Sequence, residues 1–158
     1  FSRELLETAI PELLAQTGLD PSLLELELTE SLLAENVEQV NASLSAIHAL
    51  GVRLAVDDFG TGYSSLAYLK RFPIGKLKID QSFVRDLISD PDDRAIAAAV
   101  IQMGHSLGLR VNAEGVESEE QLAQLRAMGV DEVQGYLVGR PLPAAELTPR
   151  LLSDRAGA

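Results

Sequence analysis

The sequence predicts an α/β fold of parallel strands arranged as a (β/α) barrel. Three observations predict it: helical and strand patterns alternate along the chain, the loops between them are short, and acidic or polar residues recur where strands end. Alternating strands and helices with short loops favour parallel strands joined by right-handed crossovers. Polar residues that converge from the ends of several strands are typical of the active face of such a barrel.

The first half of the chain supplies three predicted strands and three predicted helices. Leucines at helical spacing over residues 2–16 predict an amphipathic helix, which ends at Gly18. Residues 23–29 alternate apolar and acidic side chains, which is the pattern of a half-exposed strand. The other elements are a helix over 33–50 ending at Gly51, an apolar strand over 52–58, a short helix over 64–71 before Pro73, and a strand over 76–80 whose lysines face away from Leu77 and Ile79.

The second half of the chain continues this alternation. Pro91 followed by two aspartates suits the first turn of a helix over residues 91–107. Ser118 with Gln121 three residues later predicts a capping box at the start of another helix. The elements predicted here are helices over 82–89, 91–107, 118–128 and 143–153, and strands over 109–115 and 130–136.

The alternative fold is an open, doubly wound parallel sheet. No Gly-x-Gly-x-x-Gly fingerprint follows a strand in this sequence, and no P-loop occurs. The nucleotide-binding versions of that fold therefore lose their main support.

Composition limits the classes of function. With 158 residues, of which 46% are hydrophobic, the chain suffices for one domain over residues 1–158 with a core of Leu, Ile, Val and Ala. A net charge of −11 argues against binding long nucleic acid, whereas a small phosphate ligand fits if metal cations reverse the local sign. The absence of Cys excludes thiolate metal sites and is compatible with a reducing cytoplasm. No apolar run reaches the roughly 20 residues needed to span a bilayer.

Charged and amide side chains stand at or near the end of every predicted strand. Carboxylates that converge without Cys or clustered His favour hard divalent ions such as Mg²⁺, Mn²⁺ or Ca²⁺. Adjacent aspartates suit two metal ions about 3.5–4 Å apart, and this predicts metal-assisted phosphodiester hydrolysis. A lysine in the same ring suits the holding of a water or the balancing of phosphate charge. The strand-end residues are Glu27 and Glu30, Asp57 and Asp58, Lys78 and Asp80, Glu114 and Glu117, and Gln134.

Each of these residues also has a purely structural interpretation. An isolated pair such as Asp57-Asp58 is more often a helix cap with a solvated turn. Glu117 favours the start of the following helix through its charge alone, and Lys78 on its own is an ordinary surface lysine. Their joint occurrence at successive strand ends favours a shared site over these separate explanations.

Five motifs, in order and across essentially the whole chain, resemble the EAL domain family. They are ELTES at 27–31, DDFGTGYSSL at 57–66, LKID at 77–80, AEGVE at 113–117, and QGY at 134–136 followed by GRP at 139–141. Members of this family are bacterial phosphodiesterases that linearise cyclic di-GMP to pGpG on a TIM-like barrel. The resemblance implies the same fold, a site for two Mg²⁺ or Mn²⁺ ions, and cyclic di-GMP as substrate.

The resemblance also implies roles for residues at matching positions. Glu27 and Asp57 resemble ligands of the first metal, and Asp57 also resembles a bridge to the second ion. Asp58 and Glu114 resemble ligands of that second ion. Lys78 resembles the lysine that contacts the attacking water. Gln134 resembles a residue that orders water and metal. Glu30 resembles the anchor of the loop after the double aspartate. Asp80 and Glu117 resemble acids that lie beside the metal ligands or on the substrate side.

Two family motifs are missing from the sequence. Neither the Glu-Ala-Leu motif of the first strand nor an Asn-Leu-Ser context occurs, so the first-metal site is incomplete here. We therefore expect a TIM-like barrel truncated at its N-terminus, which is weakly active or inactive alone. An incomplete barrel exposes strand edges, which predicts a homodimer or higher self-association, including exchange of elements between copies.

The alternative function is a non-catalytic cyclic di-GMP receptor or an interaction module of the same family. For either function we expect a cytoplasmic domain without membrane contact of its own, from a parent protein in which other domains can supply a membrane anchor.

Overall fold

The strands of the chain form one parallel sheet. The computed structural model describes residues 3–30, 37–60 and 69–155. Within these ranges, five strands pair in parallel, and their spatial order follows their order along the chain. They are β1 (Glu25–Thr29), β2 (Arg53–Phe59), β3 (Lys76–Ile79), β4 (Arg110–Ala113) and β5 (Glu132–Val133).

Helices connect these strands largely as the sequence predicts. The predicted helix over 64–71 falls mainly on residues 61–68, which lie outside the described ranges. The helix predicted over 82–89 is shorter, and the strand predicted over 130–136 has only two paired residues. The helices are α1 (Arg3–Thr17), α2 (Val37–Ala49), α3 (Gln81–Arg85), α4 (Pro91–Ser106), α5 (Glu119–Met128) and α6 (Ala144–Arg155), with a 3-10 turn over Pro21–Leu23.

The strand order supports the barrel rather than the doubly wound sheet. A doubly wound sheet reverses its strand order at a switch point in the middle of the sheet. Here each strand pairs with the next one along the chain from β1 to β5, with no reversal. This arrangement is that of consecutive strands in an incomplete (β/α) barrel.

The two faces of the sheet differ in chemistry. Leu77 and Ile79 on β3 are fully buried among apolar residues from the helices and neighbouring strands. Lys76 and Lys78 alternate with them and contact carboxylates on the opposite face. The core consists mainly of Leu, Ile, Val and Ala, as predicted, but Phe59 and Phe72 also contribute to it.

The start of α5 confirms the predicted capping box. The Gln121 backbone N–H donates to Ser118 Oγ at 3.2 Å, and the Ser118 backbone N–H donates to Gln121 Oε1 at 3.0 Å. These bonds satisfy two backbone N–H groups that the helix itself leaves unpaired. Among the described helices, none combines the length and the apolar character that a membrane span requires.

Candidate metal centre

A β-bulge places the two adjacent aspartates. Val56 pairs with Leu77 and Phe59 pairs with Ile79, so β2 advances by three residues where β3 advances by two. Asp58, in the bulge, has a φ of 54°, which is rare for a residue other than glycine. In a regular strand, neighbouring side chains point to opposite faces, and a bulge removes this alternation. The bulge explains how Asp57 and Asp58 both reach one side of the sheet.

Lys78 is the centre of a carboxylate cluster on that side. Its Nζ lies 2.6 Å from Glu114 Oε1, 2.7 Å from Glu27 Oε1 and 2.9 Å from Asp57 Oδ1. The lysine side chain is only 4% exposed, whereas the Glu27 side chain is 46% exposed. The cluster therefore joins β1, β2, β3 and the end of β4 through one buried ammonium group.

Asp58 belongs to the same cluster. Carboxylate oxygens of Asp57, Asp58 and Glu114 all lie within 4.8 Å of one another, close enough to share a metal ion. Together with Glu27, four carboxylates thus stand around the single ammonium of Lys78. Because one positive charge does not balance four carboxylates, the arrangement favours additional cations.

The pKa values of the cluster show this imbalance. Burial alone lowers the pKa of Lys78, but the carboxylates of Glu114, Glu27 and Asp57 beside the ammonium outweigh it and raise that pKa. Burial raises the pKa of Glu114, an effect that Lys78 opposes and that neighbouring Asp57 and Glu27 reinforce. Burial and the nearby charge of Asp57 also raise the pKa of Asp58. Lys78 is therefore firmly protonated, while the carboxylates repel one another.

The donor set fits a hard divalent ion. Asp57 Oδ1 is buried and accepts no well-aligned hydrogen bond, although the ammonium of Lys78 lies 2.9 Å away as an ion pair. A buried carboxylate oxygen with unused lone pairs is a ready ligand for a cation. All candidate ligands at the cluster are carboxylate oxygens, which are the donors that Mg²⁺ and Mn²⁺ prefer.

Glu30 holds the backbone that follows the aspartate pair. This side chain is buried, and its Oε2 accepts a hydrogen bond of 3.1 Å from the backbone N–H of Gly60. Gly60 has a φ of +104°, and a Cβ there would lie 2.9 Å from the Phe83 ring. A glycine is needed at this position both for the backbone conformation and for the close approach of the ring.

Asp80 links the cluster to helix α3. Its Oδ1 accepts a hydrogen bond of 2.9 Å from the Ser82 backbone N–H, so it is the N-cap of that helix. It is also hydrogen-bonded to the Asp58 carboxyl group. Burial raises the pKa of Asp80, but the bonds from Ser82 and Asp58 outweigh that effect and lower it. Asp80 therefore joins the Asp58 side of the cluster to the first turn of α3.

Two predicted site residues lie outside this cluster. The Glu117 side chain is exposed and lines a separate cavity of about 140 Å³ with Gln81 and Arg85. Gln134 is exposed too, and its backbone joins the end of β4 through hydrogen bonds with Ala113 and Val116. Within the described parts of the chain, neither side chain makes a hydrogen bond or an ion pair with the Lys78 cluster, and their predicted roles remain predictions.

A second layer of charged side chains lies two residues earlier on the strands, and the sequence interpretation did not identify it. Lys76 Nζ lies 2.8 Å from both Glu25 Oε1 and Glu132 Oε2, and Arg110 also pairs with Glu132 at 3.0 Å. The signal was present in the sequence, because Glu25 and Lys76 stand two residues before Glu27 and Lys78. This layer neutralises its own charges, so it supports the sheet without gathering unbalanced carboxylates.

Comparison with known families agrees with this geometry. The model of the EAL domain matches residues 1–141. The chain belongs to the EAL domain family. The resemblance drawn from the five sequence motifs is thereby confirmed.

Relatives of this EAL chain include proteins named cyclic di-GMP phosphodiesterases. It is 47% identical over 155 residues to the cyclic di-GMP phosphodiesterase NbdA of Pseudomonas aeruginosa, covering 98% of this chain and 20% of NbdA. The chain thus spans about a fifth of the length of such relatives.

Solved structures of the family share its fold. The phosphodiesterase PaMucR in complex with c-di-GMP matches with a TM-score of 0.87 and 42% identity, over 93% of this chain and 62% of that one. BlrP1 of Klebsiella pneumoniae, in a manganese and cyclic di-GMP complex, matches with a TM-score of 0.77 and 38% identity, over 84% of this chain and 34% of that one. These similarities confirm the α/β fold as part of a TIM-like barrel.

Proposed function

We propose that this EAL domain takes part in metal-dependent hydrolysis of cyclic di-GMP to linear pGpG. The observation that carries the proposal is the cluster of Glu27, Asp57, Asp58 and Glu114 around Lys78. The cluster lies where four parallel strands end, which is the active face of (β/α) barrels. The named activity of NbdA and the ligand in the PaMucR complex support this substrate.

In this proposal the carboxylates hold Mg²⁺ or Mn²⁺. Asp57, Asp58 and Glu114 are close enough to share one ion, and Glu27 adds a fourth carboxylate through its ion pair with Lys78. Bound cations supply charge stabilisation for the phosphodiester and for the attacking water. The carboxylates of the site repel the anionic substrate in the absence of cations, so we propose that substrate binding itself depends on the metal.

Lys78 has two tasks in this mechanism. Its ammonium group keeps three carboxylates within 2.9 Å of a single point, which fixes the donor atoms before the cation binds. Because its pKa is raised, it stays protonated and acts as a hydrogen-bond donor to the attacking water or to a phosphate oxygen, not as a base. We propose that Glu30 keeps the loop after Asp58 in place, and that Gln134, Asp80 and Glu117 act around the substrate.

The chain represents only part of an EAL domain in this proposal. It covers 62% of the PaMucR chain, and its sequence has no Glu-Ala-Leu motif. Within the described residues, β1 pairs only with β2, so its other edge carries unpaired backbone groups. We propose that residues 1–158 alone self-associate through such edges and hydrolyse cyclic di-GMP weakly or not at all.

Incubation of the complete natural gene product with cyclic di-GMP and Mn²⁺ or Mg²⁺, followed by chromatography of the nucleotides, tests the proposal. We expect pGpG to form, and its formation to stop when EDTA removes the metal. The receptor alternative predicts saturable cyclic di-GMP binding without pGpG. If the protein neither binds nor hydrolyses cyclic di-GMP, both functions are refuted.

A further inference from the structure

Gln121 is a buried polar residue whose contacts exceed what helix capping requires. It lies in the first turn of α5 and is only 8% exposed. Its Oε1 accepts hydrogen bonds from the backbone N–H groups of Glu117 at 2.8 Å and Ser118 at 3.0 Å. Its Nε2 donates to the backbone carbonyls of Val84 at 3.0 Å and Arg85 at 3.2 Å. The amide group thus uses its donor and its acceptor in different parts of the fold.

The acceptor side of Gln121 explains the capping box, but the donor side does not. A capping box needs only an acceptor at this position, and Glu serves as well as Gln. Val84 and Arg85 precede Gln121 by 37 and 36 residues and belong to α3. The last carbonyls of a helix lack partners within the helix. Gln121 donates to two of them at the end of α3, of which the Val84 carbonyl also accepts from the Leu87 backbone N–H at 3.3 Å.

Helix α3 lies between two candidate metal ligands. At its start, Asp80 caps the helix and is hydrogen-bonded to Asp58. Gln81 packs against Gly115, the residue after Glu114, so closely that a Cβ on Gly115 would lie 2.7 Å from the Gln81 Cβ. Through Asp80 and Gln81, the start of α3 therefore contacts Asp58 and the residue that follows Glu114.

The Gln121 amide closes this arrangement at the other end of α3. It fastens the last turn of α3 to Glu117 and Ser118, which stand on the same loop as Glu114. A short helix of five residues has little stability of its own, so its position depends on such tertiary contacts. Loss of the donor side would free α3 to shift relative to the loop that carries Glu114.

We propose that Gln121 is a positioning residue that fixes, through α3, the separation of the Asp58 and Glu114 carboxylates and thereby the affinity of the site for a divalent cation. This inference rests on the proposed function only in that these carboxylates bind a metal ion. Outer residues that orient metal ligands typically contribute a factor of about 10–100 to affinity. Since Gln121 acts through α3, we expect a factor of about 10, the lower end of that range.

The test compares Gln121→Glu, Gln121→Met and Ser118→Ala in the complete natural gene product. Gln121→Glu keeps the acceptor for Glu117 and Ser118 but turns a carboxylate oxygen towards the carbonyls of Val84 and Arg85. Ser118→Ala removes the hydroxyl that caps α5 and leaves the bonds to α3 in place. Mn²⁺ binding is measured by electron paramagnetic resonance of the free ion, with thermal unfolding recorded in EDTA.

We expect Gln121→Glu to weaken Mn²⁺ binding about 10-fold, and Ser118→Ala to change it less than about twofold while lowering the unfolding temperature. Gln121→Met removes both the acceptor and the donor of the side chain, and it should weaken Mn²⁺ binding at least as much as Gln121→Glu. If it does not fold, the charged variant still decides the question. Unchanged affinity in Gln121→Glu, or an equal loss in Ser118→Ala, would overturn the inference while leaving the proposed function intact. A wild-type protein that binds no Mn²⁺ would instead overturn the proposed metal site.

Discussion

The Nζ atom of Lys78 lies 2.6 Å from Glu114 Oε1, the shortest of the three ion pairs that this lysine makes with described residues. Lys78 is on β3 and Glu114 follows β4, so the pair joins the ends of two neighbouring strands. The same ammonium group holds Glu27 and Asp57 from β1 and β2. One lysine on β3 thus holds together carboxylates from the ends of β1, β2 and β4, and the excess of negative charge favours the binding of cations.

Replacement of Lys78 tests this role. Lys78→Met leaves its carboxylate partners without a counter-ion. We therefore expect it to lower the free energy of unfolding in EDTA by about 3 kcal/mol. This is the lower end of the range for losing one partner of a buried ion pair, because the Glu27 side chain is half-exposed. Mn²⁺ should restore part of this stability but not turnover. Lys70→Met, at an exposed position, is the control and should change neither. Denaturant unfolding with and without Mn²⁺ provides the comparison; equal stability of the two variants in EDTA would contradict the role.

The contact between Gly60 and the Phe83 ring gives a second prediction. Gly60→Ala places a Cβ 2.9 Å from that ring at a φ of +104°, whereas Gly108→Ala has a φ of +74° with nothing within 4 Å. Both variants carry backbone strain of about 1 kcal/mol, but only the first carries the clash. We expect Gly60→Ala to be the more destabilising of the two in thermal unfolding, and Phe83→Leu in the same chain to recover part of the difference. Equal melting temperatures for the two single variants would show that the ring yields freely.

Asp131 predicts a pH dependence of stability away from the metal centre. Its Oδ2 accepts from the Val111 backbone N–H at 2.7 Å and contacts His105 Nε2 at 2.9 Å. Burial raises the pKa of Asp131, but these two partners outweigh it and lower that pKa below its ordinary value of 3.8. A lowered pKa stabilises the fold above the ordinary value, and this stability is lost as the pH falls through the folded-state value.

We therefore expect Asp131→Asn to lower the free energy of unfolding by about 1 kcal/mol at pH 7. The difference from wild type should shrink as the pH falls below about 4, where the unfolded state begins to bind a proton, and should vanish once the folded-state carboxyl group is protonated too. Urea unfolding at a series of pH values measures it. A difference that stays constant down to pH 2 would show that the charge of Asp131 does not contribute.

The open edge of β1 predicts the behaviour of residues 1–158 on their own. Backbone groups along an unpaired, partly apolar edge favour pairing with another chain. We expect sedimentation velocity to show a dimer or larger species whose share grows with protein concentration. A compact monomer over the whole concentration range would rule out self-association through this edge.

The sequence predicts the sheet and most of the cluster because both follow simple periodic patterns. Apolar residues on β3 alternate with lysines, and parallel strands bring the residues at their ends together. The sequence alone therefore groups Glu27, Asp57 and Glu114 in one site.

The bulge at Asp58 and the contacts of Gln121 could not be predicted in the same way. Alternation would place Asp57 and Asp58 on opposite faces, and only the observed register shift and positive φ show why it fails. The bonds from Gln121 to α3 join residues 36 and 37 positions apart in sequence, and local patterns carry no information about such contacts. The strand predicted over 130–136 is longer than the paired segment Glu132–Val133.

The measurement that tests the central claim most directly is Mn²⁺-dependent formation of pGpG from cyclic di-GMP by the complete gene product and by two aspartate variants. Asp57→Asn alters the carboxylate with the unused buried oxygen, and Asp86→Asn alters an exposed aspartate beyond α3. The account predicts that Asp57→Asn lowers turnover by at least about 100-fold, the upper range for disturbing a metal site, while Asp86→Asn leaves it unchanged. Wild-type turnover by a folded Asp57→Asn protein would contradict the claim that this cluster is the catalytic metal centre.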